Sequence, residues 1–191
     1  MQTLEQIKDR ITAVLPGAGI EVVPNASPSN QASLLLDHPH ALEIALFLRD
    51  APELRFDYAS NVTGVDWPEK TVKERVKVTR IIEGVEKEFE ELAERKISGC
   101  LEAVYHLYSM ELGHGPLIIR LRTGNRTGLV ALPSLTPVWR SCEFQEREIF
   151  DLFGIQFQGH PDLRRLLMWD GFADYPMRKD YAPADHQEAR P

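Results

Sequence analysis

The residues of this chain that could do chemistry are concentrated between Glu143 and Tyr181. Glu143, Arg147 and Asp151 recur every four residues, which on a helix puts a guanidinium between two carboxylates on one face. Glu146 and Glu148 flank that face, and His160, Pro161, Asp162, Arg164 and Arg165 follow. The tail adds Asp170, Asp174, Arg178, Lys179 and Asp180, with Trp169, Phe172, Tyr175 and Tyr181 among them. Three kinds of chemistry fit these types. Glu146, Glu148, Asp151, His160 and Asp162 are metal-ligand types, but their spacing matches no metal signature such as His-Glu-x-x-His, and His160 precedes a proline. Glu143 and Glu146 could serve as an acid–base pair by type alone; an arginine between carboxylates lowers their pKa and keeps both ionised. The third reading is a protein interface. Tyr, Trp and Arg are the side chains that anchor protein contacts, and a tail rich in all three reads as a strap over another chain. Its plain rival is a simply folded tail.

The elements that must position these residues are legible to different degrees. Leu4, Ile7, Ile11, Val14 and Leu15 recur at helical spacing before Pro16-Gly17. Residues 20–23 and 32–36 read as short strands separated by a Ser/Asn/Pro loop, and His38-Pro39 opens a second helix carrying Leu42, Leu46 and Phe47. Residues 56–67 read as a strand with a break at Thr63-Gly64. Residues 103–112 and 117–122 read as strands around Gly113-His114-Gly115-Pro116, a hairpin pattern. Thr136-Pro137 predicts a helix start, since Thr can cap and Pro suits the first helical position. Gly154 predicts its end, and Val138, Cys142, Ile149 and Phe153 predict its apolar side. The segment 68–98 mixes Lys, Arg and Glu around Val76, Val78, Ile82, Val85 and Phe89. A charged hairpin turning at Glu83-Gly84 fits it better than a helix, because an interior Gly84 would cost a helix about 1 kcal/mol.

This order predicts an α+β fold: a two-layer domain with one mostly antiparallel or mixed sheet and flanking helices, followed by an irregular, extended C-terminal segment. Residues 1–154 form the domain, with the charged insertion at 68–98, and residues 155–191 the arm. The length, 191 residues, lets such a domain fold without disulfides. Cys100 and Cys142 are too few to ligate an iron–sulfur cluster, which usually takes four thiolates. The net charge of −7 and the lack of a basic run argue against nucleic acid. No signal peptide is evident at the N-terminus, and no stretch reaches the ~18–20 apolar residues of a membrane span.

The run Glu146-Arg147-Glu148-Ile149-Phe150-Asp151-Leu152-Phe153-Gly154-Ile155, continuing through Phe157 to His160-Pro161-Asp162-Leu163-Arg164-Arg165-Leu166-Leu167, closely resembles the signature of the 30 kDa subunit family of NADH-quinone oxidoreductase, respiratory complex I. Tyr105-His106-Leu107 is similar to the family's central strand. Leu132-Pro133-Ser134-Leu135-Thr136-Pro137-Val138-Trp139 is similar to its loop into the helix, and Pro176-Met177-Arg178-Lys179-Asp180-Tyr181 to its closing motif. The resemblance covers residues 57–181; the first fifty-odd agree only in layout. Two departures stand out. The insertion 68–98 is longer than the family's usual passage, and the chain ends near Pro191, unlike forms fused to the quinone-site subunit.

The resemblance implies a non-catalytic subunit of the peripheral arm of a proton-translocating NADH:quinone oxidoreductase, on the cytoplasmic side of the inner membrane. It implies no cofactor in this chain, with FMN and iron–sulfur clusters in partner subunits. The implied partners are the large quinone-site subunit and the iron–sulfur subunits. Catalytic residues are not expected. Glu143, Glu146, Arg147, Glu148, Asp151, His160, Pro161, Asp162, Arg164, Arg165, Arg178 and Lys179 are expected to be structural or interface residues. Of these Arg147 is expected to pair with Glu143 and Asp151, and Arg164, Arg165, Arg178 and Lys179 to touch a partner. The alternative is an equivalent accessory subunit of a related membrane-bound hydrogenase or ferredoxin-linked dehydrogenase.

Overall fold

The structure, a computed structural model, describes residues 2–25, 27–82 and 85–182. Thr3 starts the first helix, α1 (Leu4–Val14): its hydroxyl accepts from the Gln6 N–H while the Gln6 side chain accepts from the Thr3 N–H. That reciprocal pair satisfies two donors that a helix start otherwise leaves open. Strands β1 (Ile20–Val23) and β2 (Ser33–Leu36) follow, then α2 (Ala41–Asp50). The remaining elements are β3 (Tyr58–Trp67), β4 (Lys70–Ile82), β5 (Val85–Ile97), β6 (Cys100–Ser109), β7 (His114–Arg122), β8 (Val130–Pro133), α3 (Cys142–Phe153) and β9 (Ile155–Gln158).

Five strands form a mixed sheet in the order β1-β2-β7-β6-β3, in which only β2 and β7 run parallel. Alternation along the strands sorts its two faces. Ala103, Tyr105 and Leu107 of β6 stand opposite Leu121, Ile119 and Leu117 of β7, and these six and Leu101 are fully buried. This face joins Ile7 and Ile11 of α1, Ile44 and Leu48 of α2, and Ile149 and Phe153 of α3 in one core. The other face carries Glu102, Val104, His106, Ile118, Arg120 and Arg122. The α+β reading therefore holds.

Several local expectations do not. Gly64 does not break β3. A Cβ there would lie 2.6 Å from the Phe153 ring, so the glycine serves the close approach of α3 to the sheet and not a turn. α3 begins at Cys142 and not at Thr136, because the segment before it is spent on single turns: Val138 and Trp139 donate to the Leu135 carbonyl and Cys142 to that of Trp139. Residues 155–158, assigned above to the arm, are strand β9, which pairs in parallel with β8. Strand β7 begins at His114, inside the expected turn.

The insertion is a hairpin. β4 and β5 pair antiparallel over thirteen residues, from Lys70 opposite Ile97 to Ile82 opposite Val85, and form a sheet of their own. The expected turn at Glu83-Gly84 lies outside the described residues, as does the part of the arm beyond Ala182.

Candidate functional site

Helix α3 is fixed to the sheet by polar contacts that the sheet's own irregularity creates. The register of β3 against β6 slips between Ala59 and Asn61. Next to this bulge the Ala59 carbonyl accepts from the Ser141 hydroxyl (2.8 Å) and the Val62 N–H donates to Gln145 (2.5 Å). A bulge releases backbone groups from the ladder, and α3 takes up two of them.

Beneath the helix lies Glu146, fully buried. One carboxylate oxygen accepts from the Tyr105 hydroxyl (3.0 Å) and the Leu135 N–H (2.8 Å). The other accepts from the hydroxyls of Ser134 (2.5 Å) and Thr136 (3.0 Å). Four donors saturate an ionised carboxylate. Burial pushes its pKa up; the donors from Ser134, Leu135, Tyr105 and Thr136 pull it down, and the net shift is upward. Burial and the Glu146 charge together push the Tyr105 hydroxyl far above its ordinary range. Glu146 thus ties the turn before α3 to the central strand, and Thr136 spends its hydroxyl here instead of capping a helix.

The expected triad on α3 is absent. Arg147, buried, reaches neither Glu143 nor Asp151. Its Nε and Nη2 donate to the carbonyls of Arg164 (3.3 Å) and Arg165 (3.4 Å), its Nη1 lies 3.6 Å from Asp162, and its guanidinium sits over the Phe144 ring. Glu143 faces Arg140 instead (3.7 Å). Four-residue spacing puts side chains on one face, but a long arginine takes whichever acceptors the next segment of chain supplies.

Asp151 is the second buried carboxylate, and it organises the arm. One oxygen accepts from the backbone N–H groups of Leu166 (3.0 Å), Leu167 (2.6 Å) and Met168 (2.8 Å). The other accepts from Arg165 (2.6 Å). Burial alone would push its pKa up; the N–H groups of Met168, Leu167 and Leu166, with Arg165, outweigh it, and the net shift is downward.

Gly154 ends α3 in the left-handed region (φ 78°), and its lack of a side chain admits the Tyr175 ring, which a Cβ would meet at 2.5 Å. Tyr175 in turn stacks against Arg165 and Arg178. Arg178 donates to the Phe153 carbonyl (2.7 Å).

The arm's far end is held by Asp66 of β3. Its carboxylate accepts two hydrogen bonds from Arg126 (2.5 and 2.6 Å) and one from the Lys179 N–H (2.7 Å), while Arg126 also grips Asp180. Burial raises the Asp66 pKa, but Arg126 and the Lys179 N–H reverse the sign and leave it lowered. His160 donates from Nε2 to the Glu143 carbonyl (2.9 Å), since its Nδ1 accepts from the Asp162 N–H (3.1 Å). Asp162 also pairs with Arg164 (2.9 Å), the Pro161 ring is exposed on the turn between them, and Glu148 points to solvent.

The segment expected to find its ionic partners on other chains therefore finds most of them within its own. Arg165, Arg178 and the Lys179 backbone are anchored to Asp151, Phe153 and Asp66. What they leave outward is apolar: Leu166 (39% exposed), Leu167 (58%), Trp169 (65%) and Met177 (55%), with Phe144 (59%) on α3. Sequence reasoning named Trp169 among the aromatics of the strap but assigned no outward role to Leu166, Leu167, Met177 or Phe144, and it passed over Asp66, Arg126 and Gln145. Exposed leucines carry no signature until the backbone under them is known. Among the described residues no three His, Cys, Asp or Glu side chains converge as a ligand set, and Glu146 and Asp151 spend their oxygens on donors.

Comparison with known proteins shows the family. The family model for the 30 kDa subunit of respiratory-chain NADH dehydrogenase matches residues 34–187, further toward the N-terminus than the motifs alone. An NADH-quinone oxidoreductase subunit of Hyphomonas neptunium is 34% identical over 84% of the chain, and the subunit of the same name in Coxiella burnetii is 35% identical over 99%. The chain spans 64% of the length of the first and 81% of the second. A solved structure, a trypsin-resistant fragment of Nqo5, aligns with 84% of this chain and 98% of its own at 23% identity, with a TM-score of 0.45.

Proposed function

Because the chain belongs to the family of the 30 kDa subunit of respiratory-chain NADH dehydrogenase, we propose that it is a non-catalytic subunit of the peripheral arm of a proton-translocating NADH:quinone oxidoreductase. It holds the neighbouring electron-transfer and quinone-site subunits in position. The observation that carries this reading is the pinned arm. Asp151 and Asp66 fix the backbone of residues 165–180 from inside the chain, and Leu166, Leu167, Trp169 and Met177 are presented outward on it. An ordered backbone with exposed large apolar side chains suits a permanent protein contact, because little ordering entropy remains to be lost on docking.

In this reading the neighbours are the large quinone-site subunit and the iron–sulfur subunits. FMN and the clusters reside in those partners and not in this chain. No helix of the described residues is long and apolar enough to cross a bilayer; the partners hold the protein at the cytoplasmic side of the inner membrane. Its contribution to catalysis is geometric, since electron and quinone sites depend on supporting shells that keep reacting groups within a fraction of an ångström.

The test is assembly. With Leu167 and Trp169 both changed to Ser, the chain is expected to keep the circular dichroism and denaturation midpoint of the unsubstituted one, yet to fail to co-purify with the NADH:quinone oxidoreductase. Undiminished co-purification and activity in that variant would overturn the reading.

A further inference from the structure

On the sheet face opposite the helices, beside the root of the β4–β5 hairpin, lies a groove of about 1120 Å³. Its floor is Leu35, Arg120 and Arg122, neighbours across β2 and β7. One wall is Val23 and Pro24 after β1; the other is Trp67, Pro68, Ile97 and Cys100 at the hairpin root. Trp67 is 43% exposed and Ile97 37%.

The groove's charges are unevenly balanced. Arg120 and Arg122 share Glu102, a fully buried carboxylate that also accepts from the Trp67 indole. Glu102 thus serves two guanidiniums, and Glu21 of β1, on the same face, adds a weaker attraction to Arg122. The buried Nε of Arg120 has no acceptor, so an acceptor arriving in the groove has a donor to draw out. Lys70 and Lys179 add two cations at the rim, neither with a carboxylate partner among the described residues; Lys179 stands over the Trp67 ring instead. The acidic lining residue, Asp37, is turned away onto the Gly19 N–H and His40.

The occupant this surface fits is larger than a metabolite. The lining continues into the hairpin, whose strands, among the described residues, pair only with each other and which spans roughly 40 Å at ~3.3 Å per residue. Val72 and Val76 (42% exposed) lie along it on the face of Ile97 and Lys70, while Leu92 (68%) stands on the other face. Apolar side chains that continue from a groove onto a free hairpin describe a protein-binding surface.

We propose that this groove, with the hairpin above it, takes a segment of a neighbouring subunit that bears both apolar and acidic side chains. This rests on the complex-subunit reading above and adds a second contact surface, on the face of the sheet away from the pinned arm's Asp151 anchor. The apolar side chains of the segment fill the space between Leu35, Pro24 and Trp67; its carboxylates meet Lys70, Lys179 and the Arg120–Arg122 pair. The cationic rim selects acidic segments over basic ones by charge complementarity.

The experiment places a photo-crosslinking amino acid at Ile97, and as a control at Val14 on α1, in the full chain within the complex, purified through a tag on another subunit. The expected result is an adduct from position 97, absent from position 14, to a peptide of a different subunit with Asp or Glu among apolar residues. Changing Lys70 and Lys179 together to Glu is expected to lower its yield at least fivefold while the chain still co-purifies. Where the double reversal instead prevents incorporation of a folded chain, the adduct in the unsubstituted complex decides alone. Adducts only to residues of this chain, to lipid or to a small molecule would overturn the proposal, as would no adduct, or a yield that ignores the charge reversal. Failure of the unsubstituted chain to co-purify would instead overturn the complex-subunit reading.

Discussion

Replacing Asp151 by Ala removes the acceptor of three consecutive backbone N–H groups and the partner of Arg165 in a site closed to water. Hydrogen bonds to a charged acceptor contribute about 1.5–3 kcal/mol each. Three donors converge on one oxygen and cannot add fully. Removing one partner of a buried ion pair costs ~3–5 kcal/mol, and that range is the expected loss for the arm. The damage should be local. The sheet and α3 keep their apolar core, so residues 164–181 should open below the global unfolding energy. At about 1.4 kcal/mol per factor of ten, a loss of about 3 kcal/mol speeds hydrogen exchange at Leu166, Leu167 and Met168 by about 100-fold, while the amides of β6 stay protected. Hydrogen–deuterium exchange read by NMR or mass spectrometry on the Asp151→Ala chain measures both. Protection at 166–168 equal to that of the unsubstituted chain would refute the claim that Asp151 pins the arm. The same site fixes a pH sign. Its folded pKa lies below the ordinary value of 3.8, so its stabilisation is present above pH 3.8 and is lost as pH falls through the folded value.

Glu146 should show the opposite sign. Its folded pKa is raised above the ordinary 4.5, so its contribution is fully present below pH 4.5 and declines as pH rises through the folded value. Glu146→Gln should therefore be most destabilising near pH 4.5 and less so at about pH 8, as read from urea midpoints at the two pH values; a gap that widens with pH would contradict this. Gly154→Ala should cost about 1–3 kcal/mol through its positive φ alone, and more where the Tyr175 ring is displaced; an unchanged urea midpoint would show that neither constraint matters.

The architecture was largely legible because period decides it. Alternation in β6 and β7 and the helical spacing of Ile7 and Ile11 gave strand, hairpin and helix, and Gly154 marked its helix end because a glycine enters the left-handed region at little cost. The charged hairpin followed from the poor fit of Gly84 to a helix. The site was half legible. Glu146, Arg147 and Asp151 were picked out as structural, but their partners were not, since these come from turns and strands whose path no local pattern encodes. Asp66 and Arg126 belong to no local pattern; the topology alone brings them to Lys179 and Asp180. Gly64 read as a turn because glycine's two uses, a positive φ and a close approach, look alike in sequence.

Oxidative footprinting tests most directly whether the arm is a docking surface. Trp169 and Met177 are more than half exposed in the isolated chain and should label readily there. In the intact NADH:quinone oxidoreductase their labelling should fall about tenfold, while Val14, on α1 and equally open, labels as before. Equal labelling of Trp169 and Met177 in the free and assembled states would contradict the account.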